Sequence, residues 1–313
     1  MEQLTTLFSE KRKRQPVLKR TEPDNRPAFR LTNRDCDLVE AVWHYRALTA
    51  PQLAALFFSS SHPTTGLVNE RCKHRLRMLY HHGYLIRNEQ PSKLSEGRKP
   101  LIYSLDRKGA ELLSEMQGAP IDWDPKDHAV SPLFLEHLLA TNNVRIAMTL
   151  SARQHGWELT KWLDDKTLKD PRQKDTVTLI GPKGGRESVA VVPDGYFVLE
   201  AGEFVYHHFL EVDRGTETGQ ASGGRHDWAR KIHAYLEYYQ SGSYKARYET
   251  KSLRILTVTT GERRLTNLKA ITHEADRLAQ FWFTTQELAT TRDVLSEPIW
   301  QITDQDGVHP LVW

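Results

Sequence analysis

Three acids, Asp194, Glu211 and Asp213, stand in one run of strand-forming residues, VVPDGYFVLEAGEFVYHHFLEVDRGTE, from Val191 to Glu217. Clustered carboxylates suit a hard divalent cation such as Mg²⁺ or Mn²⁺, which would activate water and stabilise charge on a scissile phosphate. Whether these three cluster depends on how the chain turns between them. Ala201 and Gly202 predict a hairpin turn, and a turn at 201 to 203 sets Asp194 opposite residue 209, 210 or 211. Period-2 alternation then sends Glu211 and Asp213 to one face, with Leu210 and Val212 on the other. Like charges opposed across a ladder cost about 0.2–1 kcal/mol, so the pair Asp194 and Glu211 requires a reason. That reason is either a metal site or, in a protein that only holds its ligand, a set of solvated acids at strand ends. His207 and His208 face opposite ways, so at most one of them can join the three acids.

The flanking elements must position this stretch. SPLFLEHLLATNNVRIAMTLSARQ reads as a long helix and WELTKWL as a strand, and DDKTLKDPRQKDTVTLIGPKGGR reads as a loop. VAVVPDGYFVLE and FVYHHFLEVDR form the hairpin. In HDWARKIHAYLEYYQSG, Trp228, Ile232, Tyr235, Leu236 and Tyr239 share a helix face. LRILTVTT is a buried strand. The last fifty residues add a helix, a short strand at FWFTT and an irregular end. FWFTTQEL and PIWQ are expected to pack on the edge of this domain, while the terminal LVW either packs too or is an exposed partner contact.

The N-terminal part is organised differently. Residues 1–30 hold three prolines and two basic clusters, Lys11 to Arg14 and Lys19 with Arg20, without sustained periodicity, and read as a flexible basic arm. From Leu31, Leu38, Ala41, Val42 and Tyr45 mark a first helix capped by Thr32. Thr49 caps a second, with Pro51 in its first turn and Leu53, Leu56 and Phe57 on one face. Val68, Cys72, Leu76 and Leu79 stripe a third, which Gly83 stops. YLIRNE and PLIYSLD are short strands joined by the basic loop QPSKLSEGRK, and RKGAELLSEM returns to helix.

Helix, helix, helix, strand, basic loop, strand resembles a winged helix-turn-helix over residues 31–118, followed by a linker at 119–130. In that layout the third helix enters the major groove. Its exposed face offers Asn69, Lys73 and Arg77, flanked by Arg71 and Arg75; Asn pairs with adenine and Arg with guanine. Lys93, Arg98 and Lys99 in the wing would hold phosphate or a minor groove. The order helix, three strands, helix, strand over 131–313 resembles the PD-(D/E)xK nuclease-like fold, so the whole chain is expected to be an α/β (α+β) protein of two domains.

That second resemblance assigns Pro193 and Asp194 to the first half of the nuclease motif and Glu211 to the second. The motif's lysine would fall at Asp213, so the cation is missing there. Lys231 or Arg230, on the next helix, is the substitute the resemblance suggests, with Glu136 as a fourth acid. The site it implies is Asp194, Glu211, Asp213 and Lys231, with the three acids on Mg²⁺ or Mn²⁺ if the domain is catalytic. Together, LTxxQLAxLFF, RLRMLYHHGYL, VPDGYFVL, FLEVDRGTE and KIHAYLEYY resemble the replication-relaxation family of bacterial plasmids and mobile elements. The resemblance covers about residues 31–260.

Composition agrees with a DNA partner. The chain of 313 residues has a net charge of +3, yet residues 1–120 carry 20 Lys and Arg against 13 acids, placing the polyanion-binding surface in the N-terminal half. Cys36 and Cys72 lack CxxC spacing, which excludes a disulfide scaffold, and both are expected as small buried hydrophobes. No apolar run approaches about 18 residues, so a cytoplasmic protein away from membranes is expected. The leading expectation is a DNA-binding accessory or regulatory protein acting on duplex DNA. A homodimer and contacts with replication or transfer proteins follow by analogy. The alternatives are a metal-dependent endonuclease or nickase and a protein-binding adaptor.

Overall fold

The structure is a computed structural model. It describes residues 19–58, 68–90, 97, 99–124, 132–181, 184–215, 228–275 and 280–312. The chain divides into two compact units, parted at Pro132 and Leu133.

In the first unit, α1 (Asn33–His44) begins at a capping box: the Thr32 side chain accepts from the Asp35 N–H, and the Asp35 carboxylate accepts from the Thr32 N–H at 2.7 Å. A strand β1 (Leu48–Thr49), which the sequence reading does not foresee, leads into α2 (Ala50–Phe57). That helix has its own capping box, Thr49 with Gln52, and Pro51 in its first turn. Next come α3 (Glu70–His81), β2 (Leu85–Asn88), β3 (Ile102–Leu105) and α4 (Arg107–Gln117). The strands form a sheet of order β1-β3-β2, all antiparallel. Leu38, Val42, Leu53, Leu56, Cys72, Leu76 and Leu79 supply the core. Three helices followed by a β-hairpin give the layout expected from the sequence.

Two expectations change here. The basic arm does not run to residue 30, because Arg20 donates to the Leu85 carbonyl at 3.0 Å, pairs with Asp106 and lies over the Tyr80 ring. Phe29 stacks on His82 with ring centroids 4.9 Å apart. Thr21 and the Pro27 carbonyl add hydrogen bonds to His81 and His82; residues 1–18 lie outside those described. Cys72 is buried as expected, whereas Cys36 is only partly so.

The second unit opens with α5 (Pro132–His155), then β4 (Glu158–Asp164) and α6 (Asp165–Lys169). A small antiparallel sheet follows, β5 (Asp175–Ile180) with β6 (Arg186–Val191). Then come β7 (Gly195–Ala201), β8 (Phe204–Asp213), α7 (Trp228–Gln240), α8 (Ser243–Tyr248) and β9 (Arg254–Thr259). The end comprises α9 (Glu262–Ala275), β10 (Phe281–Thr285), α10 (Gln286–Thr291) and β11 (Gln301–Ile302). The main sheet has the order β11-β10-β9-β8-β7-β4. β4, β7 and β8 run antiparallel to their neighbours among themselves, while β8 with β9 and β9 with β10 are parallel, so each parallel step needs a crossover. The order helix, three strands, helix, strand expected from the sequence is met by α5, β4, β7, β8, α7 and β9.

Alternation divides the sheet into two buried faces. Phe197, Leu199, Leu210, Val212, Leu256 and Val258 pack with Val144 and Met148 of α5. Tyr196, Val198, Phe209, Ile255 and Phe283 pack with Ile232 and Tyr235 of α7 and Leu265 of α9. Leu311 and Val312 are buried in the first of these clusters rather than exposed; Trp313 lies outside the described residues.

The segment read as a loop before the hairpin contains α6, β5 and the start of β6, and VAVVPDGYFVLE is two strands instead of one. Pro193 accounts for the break, since it has no N–H to give a ladder and its φ is fixed. Gly195 follows because the Trp162 ring lies so close that a Cβ there would stand 2.9 Å from Cζ2.

Candidate DNA interface and carboxylate site

In the first unit, Cys72, Leu76 and Leu79 of α3 are buried, while Arg71, Lys73 and Arg77 on its other side are exposed. Lys73 Nζ lies 2.6 Å from Glu70, and Arg77 Nη2 lies 3.2 Å from His74 Nδ1. Asn69 is used differently from the sequence expectation. Its Oδ1 caps α3 by accepting from the Arg71 N–H at 2.8 Å, so that oxygen is engaged with backbone rather than presented to a base.

Arg75 is a larger correction. Its Nε donates to Asp35 Oδ1 at 2.8 Å, its Nη2 bonds the second oxygen and the Arg30 carbonyl, and its guanidinium lies 4.7 Å from the Phe29 ring centre. Burial pushes the Asp35 carboxyl up, but the bonds from Arg75 and Thr32 outweigh it and hold the group below the usual range. Position 75 is three residues after Cys72 and four before Leu79, which puts it at the edge of the apolar stripe. Arg75 is therefore a structural anchor. In the wing, Lys99 is partly buried, and Lys93 and Arg98 lie outside the described residues. A hollow of about 720 Å³ beside α3 is lined by Arg34, Phe58, Arg71, His74 and Arg75. No sequence signal marks Arg34, Phe58 or His74.

In the second unit, the hairpin pairs Ala201 with Phe204 and Gly195 with Leu210. The Asp194 N–H donates to the Leu210 carbonyl at 2.9 Å, which sets Asp194 beside Glu211 as the turn predicts. His137, Asp194, Glu211, Asp213, Lys231 and Tyr235 line one cavity of about 660 Å³.

Each acid has its own partners. Asp194 accepts from the Val212 N–H at 2.8 Å on Oδ2 and meets His137 Nε2 at 2.9 Å on Oδ1. Burial raises the Asp194 carboxyl, yet the His137 bond, the His137 and Lys231 charges and the Val212 N–H leave it below its ordinary value. Burial lowers His137, but its bond to Asp194 and the Asp194 and Glu211 charges raise it overall. Glu211, with a side chain 2% exposed, meets Lys231 Nζ at 2.8 Å on Oε2 and accepts from the Tyr235 hydroxyl on Oε1. Lys231 and Tyr235 are four apart on α7, hence neighbours on one face. Asp213 takes Arg264 side-on, Nε at 2.8 Å and Nη2 at 2.9 Å, and the Thr259 hydroxyl at 2.8 Å.

Other sequence-named residues have other partners. Glu136 pairs with Arg214 at 2.6 Å, and Arg230 lines the same cavity but pairs with Glu187. His207 bonds the Tyr196 hydroxyl at 2.7 Å, and His208 stacks on Phe197. No sequence signal marks His137 or Arg264, and the spacing of Tyr235 marks only an apolar helix face.

This donor set does not fit the Mg²⁺ or Mn²⁺ that the sequence resemblance implies. Both oxygens of Glu211 and of Asp213 already accept from protein donors, and among the described residues no group of three or more His, Cys, Asp or Glu is arranged to hold a metal ion. The three-acid metal set expected from the sequence is not assembled, because Arg264 and Thr259 hold Asp213.

Comparison with known proteins places these features in context. The family model for replication-relaxation matches residues 40–253. No curated protein matches. Among solved structures, the restriction endonuclease FokI aligns at 12% identity with a TM-score of 0.25, covering 84% of this chain and 45% of that one. The chain thus spans under half of that enzyme's length, and at this score the likeness carries no weight for fold or activity.

Proposed function

The chain belongs to the replication-relaxation family, and from that premise we propose that it is a DNA-binding accessory or regulatory protein of a plasmid or mobile element. The first unit reads duplex DNA through α3. The second adds DNA contact or self-association, and the protein acts in the cytoplasm with replication or transfer proteins. The observation that supports this reading is the exposed row Arg71, Lys73 and Arg77, backed by the buried stripe that fixes α3 to its unit. Guanidinium groups on a helix of this kind can meet guanine edges or phosphates.

The test is binding of full-length protein to duplex DNA in EDTA across a salt series. Arg71→Ala and Arg77→Ala are expected to weaken binding by about 1–3 kcal/mol if each reads a base, or to reduce the salt slope by about 1 if each holds a phosphate. Asp194→Ala should leave binding unchanged. Unaltered isotherms for both arginine variants would refute the readout surface.

A second reading, a metal-dependent endonuclease, draws on the position of Lys231 beside Glu211 in the cavity that Asp194 also lines. It requires Glu211 to exchange its lysine for a metal. Nicking of supercoiled plasmid with Mg²⁺ or Mn²⁺ but not with EDTA, lost in Glu211→Ala, would support it.

A further inference from the structure

We infer that Lys231 takes the place of the divalent cation: its ammonium is the built-in counter-ion of Glu211, and the carboxylate site is closed to metal while that lysine is present. The inference deepens the accessory reading above and rests on it.

Glu211 is almost completely buried, so its charge needs compensation wherever the chain folds. A catalytic site would leave that compensation to a metal. Here one turn of α7 supplies it, with Lys231 Nζ on one carboxylate oxygen and the Tyr235 hydroxyl on the other. The remaining acids follow the same rule. Asp194 has His137 from α5 and a backbone N–H, and Asp213 has Arg264 from α9 with Thr259 from β9. Three carboxylates are matched by basic partners from three helices. A divalent ion entering at Glu211 would meet an ammonium already 2.8 Å from the buried carboxylate, and the like charges would repel. The nuclease motif that the sequence resembles places its lysine two residues after the acid. In this chain that position is Asp213, and the lysine from α7 lies on the acid itself.

The experiment titrates full-length protein with Mn²⁺ alone, followed by calorimetry and by thermal shift, in wild type, Glu211→Gln, Lys231→Met and the Lys231→Met/Glu211→Gln double variant. The quantity read is the Mn²⁺ affinity that depends on Glu211. It is expected to be absent in wild type, to appear in Lys231→Met and to vanish in the double variant. The inference is overturned if wild type shows Glu211-dependent affinity as strong as that of Lys231→Met. It is equally overturned if neither protein shows any, since the lysine would then be excluding nothing. Should Lys231→Met fail to fold, Lys231→Gln, which can still donate to Glu211, is read in its place. DNA binding of the wild type in EDTA is measured alongside. Its loss would defeat the accessory reading, whereas the Mn²⁺ titration alone decides the role of Lys231.

Discussion

Arg75 and Arg77 lie two residues apart on α3, and the physical roles assigned to them are opposite. Arg75 compensates Asp35, a carboxylate with no exposed surface that also caps α1, so its guanidinium ties α3 to the start of α1. Removing one partner of such a pair leaves a buried charge unmatched, which costs about 3–5 kcal/mol when both partners are buried. Arg75 keeps 24% of its side chain exposed, so the expected loss for Arg75→Ala is near the lower end, about 3 kcal/mol, read as a fall in urea midpoint. Arg77→Ala should stay within about 0.5 kcal/mol of wild type in the same assay while weakening DNA binding. If the two variants lost equal stability, the division of labour on α3 would be wrong. The sequence already held the distinction. Only position 75 satisfies the three-and-four spacing to Cys72 and Leu79, and weighting that spacing above charge would have separated the arginines.

At the scale of elements, legibility followed the strength of local signals. α1, α2 and α3 carry caps and apolar stripes that act within a few residues, and β7 and β8 are joined by a short turn whose geometry fixes the register. From that register alone, Asp194 could be placed beside Glu211. β5 and β6 were missed because their alternation is nearly hidden: only Val177 is buried in β5, and β6 is exposed at four of its six positions. Pro193 then disguised the end of β6 as the middle of a longer strand. The partners of the acids were illegible for another reason. His137 comes from α5, more than fifty residues before Asp194, and Arg264 from α9, about fifty after Asp213. No periodicity within either helix announces a contact made only after the sheet brings α5 to one place and α9 to another. The substitution of Asp213 for the motif lysine was the one sequence clue that the site's charges had been rearranged. Lys231 could be nominated only because the nuclease motif that the sequence resembles allows its cation to come from the following helix.

Across the whole second unit, the sheet face toward α5 carries a stacked row that bears on stability rather than on chemistry. Trp162 of β4 stacks on Phe197 of β7 at 5.3 Å, and Phe197 stacks on His208 of β8 at 4.6 Å. His208 has no exposed surface, and among the described residues neither ring nitrogen has a hydrogen-bond partner. Burial, with the nearby Arg254 and His207, pushes the imidazole well below its ordinary value of 6.5. The folded protein therefore keeps His208 neutral at pH values where the unfolded chain protonates it. Stability is unaffected by this residue above about pH 6.5 and falls as the pH drops below that value, because the unfolded state then binds one more proton, by up to about 1.4 kcal/mol per pH unit. His137 works in the opposite sense, since its folded value is raised and the stability it adds is lost as the pH rises through that value. The comparison of wild type with His208→Phe cancels the His137 contribution, and phenylalanine preserves the stack. Urea midpoints measured between about pH 5 and pH 8 should diverge only on the acid side, with the variant losing less stability as protons are added. Parallel curves would mean that the imidazole finds a proton acceptor in the folded state, contrary to the unpartnered ring on which the prediction stands.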